Sequence, residues 1–86
     1  QLMVWSWQLQ FRGAMGFRTR LGTVVLFSET GKISQRWPVY RKADSLDDFH
    51  LHSTFNTAAR LHETEISRGG RLWLYDSKDN LVSEFT

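Results

Sequence analysis

From Thr54 to Arg68 the chain carries helical spacing, and on either side of that stretch its apolar residues alternate as strands do. Phe55, Ala58, Ala59, His62 and Ile66 fall at i, i+3, i+4, i+7 and i+11, so they share one helix face. Ser53 or Thr54 is placed to cap the start. Gly69-Gly70 ends the helix, because glycine accepts the positive φ that follows a helix C-terminus. Two alanines in the stripe allow close approach to a flat surface. His62, sharing that stripe, is expected to be more buried than His50 or His52. The reading is a sheet built around a single helix.

The flanking patterns supply the strands. Met3, Trp5, Trp7, Leu9 and Phe11 alternate with Val4, Ser6, Gln8 and Gln10, a period-2 pattern with one strongly apolar face. That quality argues against a tag over the first twelve residues. Thr23–Phe27 reads as a strand apolar on both faces, and Glu29-Thr30-Gly31-Lys32 as a hairpin turn. Ile33, Gln35, Trp37 and Val39 then alternate with Ser34, Arg36 and Tyr40. Pro38 cannot donate to a ladder, which assigns this strand to an edge or a bulge. Residues 43–53 are predicted to be a polar connection with a short extended piece at Phe49–Leu51. Arg71–Asp76 is a further strand, and Leu81, Ser83 and Phe85 continue past a loop in which Asn80 takes the left-handed conformation. The expectation is an α+β fold of order β-β-β-α-β-β, a five-stranded antiparallel sheet with one helix packed on it. An open sheet and a small OB-like barrel both fit that order.

The matching residues Trp37-Pro38-Val39, Phe55-Asn56-Thr57 with Ala58-Ala59, and Leu72-Trp73-Leu74 with Asp79-Asn80 span just over half the chain. In them the chain resembles a group of small uncharacterised bacterial proteins that run a Trp-containing strand, a Phe-x-Thr lead into an Ala-containing helix, and a final hairpin. The usual glycine of the last turn is Asn80 here. The resemblance implies a strand–helix–hairpin arrangement and no activity.

At 86 residues, residues 1–86 are expected to form one domain. Its 41% hydrophobic and 14% aromatic content argues for a folded globule. Zero cysteines exclude disulfides, thiolate metal sites and thiol catalysis. No apolar run approaches the ~20 residues of a membrane span and no signal-peptide pattern appears, so no membrane association and a cytoplasmic location are expected. Charge is uneven. Residues 1–42 hold seven basic groups against Glu29, for +6, and residues 43–86 hold four basic against eight acidic groups, for −4. This marks either a polyanion-binding half or two differently solvated faces.

No chemistry-bearing motif stands out. His50-x-His52 on a strand would point both rings one way, with Asp47 or Asp48 nearby, but a structural zinc site without thiolates is uncommon. Asp44, Asp47, Asp48, Glu63 and Glu65 supply carboxylates, yet Ser45-Leu46-Asp47-Asp48 reads as a turn or cap. There is no nucleophile elbow, and Gly69-Gly70 follows a helix instead of preceding one. No enzyme activity, metal or cofactor is expected.

Four Trp and two Tyr in a chain with a single helix exceed what that helix can cover. The leading expectation is a non-enzymatic binding or assembly module, a homo-oligomer with a dimer as its first form, through the sheet face away from the helix. The candidate interface residues are Trp5, Trp7, Trp37, Trp73 and Tyr75, with outward register undecided. The alternative is a single-stranded nucleic-acid binder on an OB-like barrel. In it Arg12, Arg18, Arg20, Arg36, Arg41 and Lys42 neutralise phosphate while Trp37 or Tyr40 stacks a base.

Overall fold

The structure is a computed structural model and describes residues 19–85. The elements run β1 (Arg20–Phe27), β2 (Ile33–Tyr40), α1 (Asp47–Leu61), α2 (Glu63–Ser67), β3 (Arg71–Asp76) and β4 (Leu81–Phe85). The strands form one sheet of order β2-β1-β3-β4, and every neighbouring pair is antiparallel. The fold is thus α+β, and among the described residues the sheet is open, with β2 and β4 as its edges. The barrel expectation is corrected, since a linear order leaves those edges unpaired with each other. Four strands are present among the described residues, not five, and the pattern from Met3 to Phe11 lies outside them.

The core lies on one side of the sheet. Val24, Leu26, Leu72 and Leu74 are almost completely buried, and Val39 joins them from β2. Against them α1 and α2 bring Leu51, Phe55, Ala58, Ala59 and Ile66. The expected helix stripe is therefore the packed one, and its two alanines let the helix sit close. Its remaining member, His62, is half-buried, as is His50, whereas His52 is exposed. Gly22 serves the same close approach on the sheet side. A Cβ there would collide with the Tyr75 carbonyl oxygen and stand 3.1 Å from Leu51 Cδ1.

The helix starts seven residues before the predicted Thr54, which overturns the reading of 43–53 as a connection with an extended piece. Phe49-His50-Leu51-His52 alternates in sequence, but Leu51 also stands four residues before Phe55 and extends its stripe. Burying Leu51 over Gly22 decides for helix. Asp47 and Asp48 in the first turn suit the positive end of the helix dipole. Neither Ser53 nor Thr54 caps this start. Leu46 is the N-cap and makes no side-chain cap bond, and Thr54 Oγ1 donates back to the His50 carbonyl at 2.9 Å. The helical stretch is also divided at His62, whose φ of −115° separates α1 from α2.

The predicted glycine stop is present. Gly69 has φ +108°; its N–H donates to Ile66 O at 3.1 Å and that of Gly70 to Glu65 O at 3.0 Å, the paired bonds of a Schellman ending. The β1–β2 turn also forms as expected, with Gly31 at φ +88°. In the β3–β4 turn the left-handed residue is Asp79 at φ 65°, not Asn80. The Asp76 carboxylate organises that turn by accepting from the backbone N–H groups of Lys78 and Asn80, each at 2.9 Å. These bonds, that from Asn80 first, hold the Asp76 pKa below its ordinary value.

Candidate functional site: the sheet face away from the helix

Strand alternation gives the second face to Thr23, Val25 and Phe27 on β1, and to Arg71, Trp73 and Tyr75 on β3. The register aligns them in rows across the sheet. Pro38, Thr23 and Tyr75 make one row. Arg36, Val25, Trp73 and Glu84 make the next, and Ile33, Phe27 and Arg71 the third. Among the described residues no helix lies over this face.

Its centre is apolar and aromatic. Val25 is only 6% exposed, sheltered by its neighbours. Phe27 meets Trp73 edge-on with ring centroids 4.9 Å apart, and Trp73 meets Tyr75 at 6.2 Å. Such ring pairs add about 0.5–1.5 kcal/mol beyond area burial. The Trp73 Nε1–H is buried without a hydrogen-bond partner among the described residues. A groove of about 380 Å³ on this face is lined by Val25, Tyr75 and Arg36 together with Arg20 and Asp79.

Charges ring this centre. Arg20 is held in place by three bonds: to Thr23 Oγ1 at 2.6 Å, the Ser77 carbonyl at 2.8 Å and Asp79 Oδ1 at 3.3 Å. Arg36 and Glu84 stand at opposite ends of the central row, one on each edge strand.

The candidate interface residues separate under this geometry. Trp73 and Tyr75 lie together on the face. Trp37 lies on the other side, packed against the core and 5.2 Å from the His62 ring, so the grouping of Trp37 with Trp73 is corrected. The reason is parity: Trp37 pairs with Val24, a core residue, while Trp73 pairs with Val25. Trp5 and Trp7 lie outside the described residues. Val25, Phe27 and Glu84 were not singled out from sequence. For Val25 and Phe27 the signal is the double-sided apolar pattern of β1, which becomes a face only once register is known, and Glu84 on β4 carries no such signal.

The basic set does not share one side. Arg20 and Arg36 border the face just described. Arg41 is paired with Asp47, its Nε 3.2 Å from Oδ1 and its Nη2 3.0 Å from Oδ2. Those hydrogen bonds, followed by charge attraction, raise the Arg41 pKa above its ordinary value. Lys42 lies beside α1 near Trp37, and Tyr40 is half-buried at the end of β2. Arg12 and Arg18 are outside the described residues. His50 and His52 stand on a helix, where residues two apart point to different sides, so the shared direction read from a strand does not hold. His52 Nδ1 is 3.0 Å from the Asp48 carbonyl oxygen, and His62 Nδ1 is 3.3 Å from Glu65. Among the described residues, no three His, Asp or Glu side chains converge as a metal set.

Comparison with known protein families, curated proteins and solved structures finds no match.

Proposed function

We propose that this chain is a non-enzymatic assembly module that pairs with a second copy of itself through the sheet face away from α1. The observation that carries this reading is the central row Arg36–Val25–Trp73–Glu84. It has an apolar middle and opposite charges at its two ends. A twofold axis in the plane of the interface and along the strands reverses the row, setting Arg36 of each copy over Glu84 of the other. The face is then complementary to itself, as an isologous interface requires.

Size sets the strength. Four strands spaced about 4.8 Å, with about six residues each rising about 3.3 Å, give roughly 400 Å² of flat area. That is below the ~800 Å² per partner of a standard interface. Burying about 600 Å² of apolar surface over both copies contributes roughly 15 kcal/mol at ~25 cal/mol/Å². Association costs of about 4–15 kcal/mol offset much of it. A micromolar dimer is the expected result.

Sedimentation equilibrium of the whole chain between about 1 and 100 μM tests the reading. A concentration-dependent dimer that Trp73→Lys abolishes supports it. A monomer throughout that range overturns it.

A further inference from the structure

A second concave surface lies on the other side of the molecule, between the edge strand β2 and helix α1. It has a volume of about 470 Å³, within the range typical of small-molecule sites. Trp37 of β2 and Ala58 and Leu61 of α1 provide its apolar surface. Lys42, His50, His62 and the hydroxyl-bearing Ser53 and Thr57 provide its polar rim.

Three observations define what fits there. The Trp37 indole is half-buried, stands 5.2 Å from the His62 ring at a tilt of 42°, and is part of the groove's lining. The Lys42 ammonium group makes no hydrogen bond or ion pair among the described residues, unlike the guanidinium of Arg41 beside it, which Asp47 neutralises. Finally, no Asp or Glu lines the groove, although residues 43–86 carry a net −4. Four other surface grooves of the described residues each include at least one carboxylate, from Asp79, Glu29, Glu65 or Glu63. A concavity that excludes acids and presents a free ammonium group beside an indole favours anions over cations.

We infer that this groove binds a small planar aromatic anion, its ring against Trp37 and its carboxylate or sulfonate directed to Lys42. The helix hydroxyls Ser53 and Thr57 are within the same lining to donate to the anion. The inference is independent of pairing through the opposite sheet face.

Naphthalene-2-sulfonate serves as the probe, and naphthalen-2-ylmethylammonium, with the same ring and the opposite charge, as its control. Amide and indole NMR shifts of the whole chain are followed during titration up to about 5 mM. The sulfonate is expected to move the signals of Trp37, Thr57, Ala58 and Leu61 saturably, with the ammonium compound at least tenfold weaker. Lys42→Glu should weaken sulfonate binding by about tenfold. Trp37→Leu, checked for an unchanged fold by its amide spectrum, should abolish it. Three results overturn the inference: no saturable shift, equal binding of both probes, or shifts confined to Val25, Trp73 and Tyr75. Unchanged affinity in Lys42→Glu would do the same, because it would leave only nonspecific ring adhesion.

Discussion

Exchanging the charges at the ends of the central row tests self-pairing directly. Arg36 and Glu84 stand on the two edge strands, separated by Val25 and Trp73. In a twofold dimer each interface holds two Arg36–Glu84 pairs. An exposed pair contributes roughly 0.5 kcal/mol, and reversing one charge replaces that attraction with repulsion of similar size. Each pair then loses about 1 kcal/mol and the interface about 2 kcal/mol, which is roughly a 30-fold rise in Kd. Arg36→Glu alone and Glu84→Arg alone should each show that rise. The double variant R36E/E84R recreates both pairs in reverse and should return within about threefold of the original Kd. Sedimentation equilibrium at about 0.15 M salt reads the difference. At about 1 M salt, where screening acts over about 3 Å, the single variants should approach the parent. Urea midpoints of the variants control for folding. If both single variants dimerise like the parent, or if the double variant fails to recover, the proposed orientation is wrong.

Ala59→Leu should overpack the contact between α1 and the sheet and lower stability by roughly 1–3 kcal/mol in urea unfolding; an unchanged midpoint would contradict the packing face. Gly22→Ala drives its methyl group against the Tyr75 carbonyl oxygen and toward Leu51, and should destabilise by at least about 2 kcal/mol in the same assay. Asp76 has a folded-state pKa below its ordinary value, so its contribution is present above the unfolded pKa and lost as pH falls through the folded one. Between about pH 5 and about pH 2, Asp76→Asn should therefore lose less stability than the parent chain in urea titrations.

Local chemistry alone made much of the fold legible. The β1–β2 turn follows from Gly31, which takes the positive φ that other residues resist, and the helix ending follows from Gly69 in the same way. The stripe of Phe55, Ala58, Ala59 and Ile66 needs only the helical period to be recognised, and all four are buried. Strand positions for β2 and β4 follow from alternation, and that of β3 from a short apolar run. Where two periods coincided, sequence was insufficient. Phe49–His52 alternates like a strand, and only the fit of Leu51 above Gly22 makes it helix. Register was beyond reach for the same kind of reason. Whether Trp37 or Trp73 faces the core depends on which residue of β1 each meets, a contact between segments far apart in sequence. The row from Arg36 to Glu84 and the groove between Trp37 and Lys42 exist only after those contacts form. Period and turn chemistry act within a few residues, so they were readable in the chain; the faces arise from pairing across it, which tertiary structure alone decides.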